Sequence, residues 1–234
     1  AVWRARPDAG GAALDCVGST AALVAAGAAA VCGVSALAQR GWLGGGATDE
    51  VGALVACSAD GSAALWSVRL GGRDGIDAVR CGWVRPPLPR GVGCGGVGCV
   101  RCADGGAAPL VAMLGTADAA AADGDAPGSM LVVLEVESSL PKPSVEAVVE
   151  VAPSGGGGTS VCCAWQPPSA SGAPVVAVGA GAAVLLYGRA AATAFHCRHA
   201  PWTLLGRLEL PAGTECSALA WTASGGLLAA AGPH

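Results

Sequence analysis

Residues 53–68 read ALVACSADGSAALWSV, two short apolar runs flanking Asp60-Gly61, the second closing on Trp66. Asp-Gly between β-type runs signals a hairpin, because a two-residue primed turn needs positive φ at both central positions. The stretch therefore predicts a strand over 53–57, a tight turn at Asp60-Gly61 and a second strand over 63–68.

Working outward, apolar runs of the same kind recur at 109–114, 130–136, 145–151, 160–165, 175–178, 183–187, 203–210, 217–221 and 227–231. Gly, Pro, Asp and Ser separate them, and no segment shows sustained helical periodicity with a cap at each end. Many short strands between turn signals predict an all-β chain: a sandwich, a barrel or a propeller. Residues 17–39 carry no charge and are long enough to span a membrane. They are dominated by Ala and Gly, however, with few of the Leu, Ile and Phe residues that drive insertion. Two strands, over 22–26 and 30–37, are expected there instead.

A weak internal repeat favours the propeller among the all-β options. Residues 160–189 and 215–232 each hold a strand ending in Ala-Trp, a Ser/Gly-rich turn, and an apolar strand ending near Gly. Residues 98–114 (GCVRCADGGAAPLVAML) offer a third copy without the Trp. In the complete copies a closing strand follows, at 63–68, 130–136 and 183–187. The spacing exceeds the 40–45 residues usual for a WD40 repeat. Insertions such as 116–129 (TADAAAADGDAPGS), expected as exposed loops, account for the excess. Residues 1–234 thus read as a partial propeller of four to five degenerate blades, incomplete at both ends and part of a larger protein. The tryptophans Trp66, Trp165 and Trp221 all end strand-like runs, where a large aromatic fills the wedge between neighbouring blades.

The composition of the 234 residues is skewed, with Gly 38, Cys 11 and Trp 7 against one Tyr and one Phe. Residues with GC-rich codons predominate, so base bias explains much of the Ala and Gly content and weakens propensity as a guide. The net charge is −4 and the 13 basic residues form no cluster. Neither nucleic-acid binding nor attraction to anionic lipid is supported by that distribution. The cysteine count is odd and the spacings irregular, with Cys32, Cys57, Cys162 and Cys163 inside apolar runs, which reads as buried thiols in a reducing cytosol.

Chemical motifs are sparse. Cys94, Cys99 and Cys102 have the C-x4-C-x2-C spacing of three ligands to a plant-type iron–sulfur cluster. A fourth thiolate would come from Cys81, Cys162 or Cys163, and a zinc site on the same residues is the related option. Against both, Cys99 and Cys102 sit three apart on an expected strand and so point to opposite faces. The glycine run at 91–96 follows residues 86–89 (PPLP) rather than a strand and opens no helix. The run at 175–184 follows a strand but has Val184 where a dinucleotide fingerprint needs a third Gly or Ala. His196 and His199 lie in a loop-like stretch without a nucleophile's context, and His234 is the last residue. Glu135, Glu137, Glu146 and Glu150 alternate around strands, the pattern of a solvent-facing side of a sheet.

Taken in order, these segments resemble the DmX-like/rabconnectin family, which includes the large subunit of the yeast RAVE complex. Residues 53–68 are similar to its degenerate WD repeat, and residues 99–139 to its next blade. Residues 163–189 (CAWQPPSASGAPVVAVGAGAAVLLYGR) resemble its Trp-containing strand followed by a VG-x-G-x-x-V-x-x-Y run. Residues 201–232 match the segment after that in their Trp, aliphatic pattern and Gly-ending strand. The chain departs from better WD repeats in having Ser67 after Trp66 where Asp is usual, and in lacking a Gly-His dipeptide.

The resemblance implies a non-catalytic cytoplasmic scaffold, peripheral to endosomal or vacuolar membranes and without a cofactor. It would promote assembly of the vacuolar-type proton ATPase by binding soluble-sector subunits. Asp60, Gly61, Trp66, Trp165 and Trp221 would then mark blade architecture rather than a catalytic, cofactor or metal site. A generic WD40 adaptor is the neighbouring alternative, and a Cys-ligated metal protein using Cys94, Cys99 and Cys102 is the alternative of a different class.

Overall fold

The computed structural model describes residues 2–8, 11–18, 31–37, 50–58, 60–71, 75–85, 87, 92–93, 100–104, 109–117, 129–137, 142–151, 160–167, 173–189 and 201–232. Among them there is no helix; seventeen strands form antiparallel sheets. Strands β1 (Val2–Asp8) and β2 (Gly11–Gly18) pair as a hairpin. Sheet I is the meander β3 (Val31–Leu37), β4 (Glu50–Ser58), β5 (Ala63–Gly71) and β6 (Gly75–Val84).

Sheet II orders β9 (Pro109–Ala117), β10 (Met130–Glu137) and β11 (Lys142–Glu150). The short β7 (Val92–Gly93) and β8 (Val100–Asp104) share the free edge of β9. Sheet III is the meander β12 (Ser160–Trp165), β13 (Val175–Ala180), β14 (Ala183–Arg189) and β15 (Trp202–Glu209). Sheet IV is the hairpin β16 (Ala218–Trp221) and β17 (Leu228–Ala231).

The sheets stack face to face in chain order. Val55, Cys57, Ala63 and Leu65 of sheet I meet Val111, Met113, Val132, Leu134 and Val136 of sheet II. The other face of sheet II, with Leu110, Leu114, Leu131 and Val133, packs on Cys163, Trp165, Val176, Val178, Leu185 and Tyr187 of sheet III. Cys162, Ala177 and Val184 on the far face of sheet III then meet Cys216 and the side chains of Leu219, Trp221 and Leu228. Strand β10 shows why its sequence, MLVVLEV, barely alternates. Successive side chains point to opposite faces, and both faces are covered.

One irregularity recurs. In sheets I, II and III the fourth strand carries one extra residue opposite the third, shifting the register at Leu65/Trp66, Val133/Leu134 and Leu186/Tyr187. The extra residues are Cys81, Glu146 and Leu205, each a bulge that bends the outer strand. The internal repeat is thus more regular in backbone geometry than in sequence.

Three expectations change. The hairpin at Asp60-Gly61 has a three-residue connection, closed by Ser58 N–H to Ser62 O and Gly61 N–H to Ser58 O, both 2.9 Å, with Gly61 at φ +81°. This arrangement, a three-residue loop with Gly in the left-handed region, needs one residue more than the primed turn expected there. A two-residue turn with positive φ occurs instead at Gly181-Ala182, where φ of Gly181 is +57°. The expected closing strands 63–68, 130–136 and 183–187 are third strands, each followed by a fourth (β6, β11, β15). Of the insertion 116–129, Thr116 and Ala117 end β9 and Ser129 is buried; residues 118–128 lie outside the described residues, as does the strand expected over 22–26.

Candidate functional site

The best-defined polar constellation lies at the seam between sheets III and IV. Strand β12 ends in Ala164-Trp165, and Trp221, at the same place in β16, donates its indole N–H to Ala164 O at 3.2 Å. Gln166, just past β12, donates its side-chain amide to Gly225 O at 2.7 Å. Gly225 sits at φ +69° in the turn between β16 and β17, and a Cβ there would lie 3.2 Å from both Gln166 Cγ and Pro167 O. The turn is closed by Thr222 N–H to Leu227 O at 2.9 Å and by Leu227 N–H to Thr222 Oγ1 at 3.1 Å. One indole, one amide and a close backbone approach thus join sheet IV to the end of β12, beside the apolar layer it shares with sheet III.

A second constellation lies between sheets II and III. Trp165 and Trp202 meet edge to face, with ring centroids 5.8 Å apart and planes at 71°. Trp202 pairs in register with Arg189, whose Nη2 lies 2.7 Å from Glu146 Oε1. The Glu146 side chain is only 2% exposed. It was expected on a solvent-facing side; the bulge in β11 turns it instead against the neighbouring sheet, where a guanidinium offsets its desolvation. Trp202 Nε1 and Arg189 Nε are buried donors with no acceptor among the described residues.

Outside these seams, β15 is the outer strand of sheet III, and its solvent-facing residues include three leucines beside Thr203, Arg207 and Glu209. Leu204, Leu205 and Leu208 are about half exposed, and Leu227 in the β16–β17 turn is more so. Arg207 and Glu209 form an ion pair between them.

No protein-family profile and no curated protein matches this chain.

The sequence-selected residues fall in separate places. Asp60 and Gly61 form the β4–β5 turn, where the Asp60 carboxylate accepts from Ser62 N at 3.0 Å and from Ser62 Oγ at 2.7 Å. Those bonds, the hydroxyl above all, hold the Asp60 carboxyl below its ordinary range. Trp66 is buried in β5, but its Nε1 has no acceptor among the described residues and it is not part of the layer between sheets I and II. Trp165 lies in the layer between sheets II and III, and Trp221 lines the layer between sheets III and IV, so each indole faces the preceding sheet.

Of the suggested metal ligands, Cys102 is in β8 opposite Val111, while Cys94 and Cys99 lie outside the described residues. Cys162 and Cys163 face opposite layers and so cannot join one cluster. Among the described residues no group of three or more His, Cys, Asp or Glu side chains is placed to hold a metal ion. His196, His199 and His234 lie outside the described residues. Among those described, no helix is long and apolar enough to cross a membrane. Arg189, Trp202 and Cys216 were not singled out by sequence. Their partners (Glu146, Trp165 and Cys162) lie 37 or more residues away in sequence, and no local pattern marks them.

Proposed function

We propose that the chain is a stretch of a β-propeller scaffold of the DmX-like/rabconnectin kind, acting by binding protein partners rather than by bond chemistry. The observation that supports it is the succession of antiparallel meanders stacked in chain order, the inner ones buried on both faces and three of them carrying the same outer-strand bulge. Sheets arranged this way are blade-like, and Asp60, Gly61, Trp66, Trp165 and Trp221 serve as turn and packing residues within them. The resemblance stated from sequence supplies the partner: soluble-sector subunits of the vacuolar-type proton ATPase, delivered to the membrane sector from the cytoplasm. Blade-connecting loops and half-exposed outer strands such as β15 provide contact surface.

The test is affinity purification of the tagged full-length parent under conditions that favour ATPase assembly. Recovery of soluble-sector subunits, reduced several-fold when Leu204, Leu205 and Leu208 are all changed to Ser, is the expected result. A folded protein that recovers none of these subunits reduces the reading to a propeller adaptor for another complex.

A further inference from the structure

Cys162 on β12 and Cys216, in the link before β16, are 54 residues apart in sequence, yet their Sγ atoms are 3.6 Å apart. Both are reduced and both are buried in the layer between sheets III and IV. Backbone bonds fix the two sites. Cys216 N–H donates to Gly181 O at 2.8 Å, Leu210 N–H to Ala182 O at 2.8 Å, and Ser217 N–H to Ala231 O at 2.8 Å. Gly179 makes room for the sulfurs: a Cβ there would stand 2.6 Å from Cys162 Sγ and 2.7 Å from Cys216 Sγ. A disulfide needs the sulfurs at about 2.05 Å, so the pair, 3.6 Å apart, must close by about 1.5 Å.

We propose that Cys162 and Cys216 form a reversible disulfide that fastens sheet IV to sheet III when the protein meets a peroxide-class oxidant. One thiolate attacks a peroxide oxygen, the O–O bond breaks, and a sulfenic acid forms as hydroxide leaves. The second thiolate attacks that sulfur, the S–S bond forms and the sulfenic oxygen leaves as hydroxide. With the two thiol protons the balance is two thiols and one hydrogen peroxide giving one disulfide and two waters. Burial pushes the Cys216 thiol above its ordinary value, against the hydrogen bond it shares with Cys162, and so holds down its thiolate fraction. Cys163, adjacent in sequence, faces the opposite layer and takes no part.

The experiment treats the full chain with millimolar hydrogen peroxide, blocks remaining thiols under denaturing conditions, and maps peptides by mass spectrometry without reduction. Expected are a single linked peptide pair containing Cys162 and Cys216, a rise of several degrees in melting temperature that reductant reverses, and persistence of both in Cys163→Ala. Gly179→Ala, which crowds both sulfurs, should cut the linked yield several-fold. Cys162 or Cys216 recovered mainly as blocked thiol or sulfinic acid, or Cys216 linked to Cys163, would overturn the proposal. If Gly179→Ala fails to fold, the peptide map and thermal shift of the unaltered chain decide alone.

Discussion

Asp60 does more for the β4–β5 connection than its place beside a glycine suggests. Its carboxylate accepts two hydrogen bonds from Ser62, and Gly61 occupies a left-handed conformation that a Cβ disfavours. The pair was legible as a turn in the sequence, but its length was not. An Asp-Gly dipeptide fits a two-residue primed turn or a three-residue loop with a final left-handed Gly, and only the strand register decides between them. Asp60→Ala is expected to cost about 1 kcal/mol in a denaturant melt. Because the folded carboxyl titrates below its ordinary value, its contribution is present above that value. It is lost as pH falls through the ordinary value and then the lower folded one. Asp60→Asn should therefore flatten the acid limb of the stability curve; an unchanged limb would show that the Ser62 bonds contribute nothing.

At the scale of elements, legibility followed burial. Strands covered on both faces, such as β10 and β14, show continuous apolar runs and were found at nearly their full length. Strand β6 was missed, because GIDAVRCGWV mixes Asp77, Arg80 and Gly82 into its apolar positions. Fourth strands are outer strands, and β15 likewise tolerates Arg207 and Glu209 because six of its eight residues meet solvent.

Sheet IV carries the clearest consequence, since an isolated two-stranded hairpin is marginal in water. Its order depends on the seam with β12. Gln166→Ala should cost about 1 kcal/mol and raise amide exchange across residues 218–231 well before it affects sheet II. Equal acceleration in every sheet would mean that sheet IV has no separate opening. Between sheets II and III, Glu146→Ala removes a buried carboxylate from a guanidinium that keeps 28% exposure. A loss of about 1–3 kcal/mol is expected, toward the low end because Arg189 can rehydrate. Adding Arg189→Met should restore part of it; no recovery would point to lost packing instead.

For the whole molecule, sheet II is the element whose loss undoes the rest. Leu131 and Leu134, three residues apart on β10, are both fully buried, yet Leu131 belongs to the layer shared with sheet III and Leu134 to the layer shared with sheet I. Sequence showed the run but not this division, because an apolar stretch without alternation says only that both faces are covered. Truncating either leucine to Ala leaves a cavity in a different layer, at about 3 kcal/mol each. If the layers are energetically one body, both variants shift a single melting transition downward by roughly 6–12 °C. The double variant then loses the sum, because the two cavities sit on opposite faces and share no partner. If each sheet pair were instead an independent unit, calorimetry would resolve two transitions, with Leu131→Ala moving one and Leu134→Ala the other. The stacked arrangement favours the first outcome, since every residue of β10 between Leu131 and Leu134 belongs to one layer or the other and neither layer can open without exposing the strand they share.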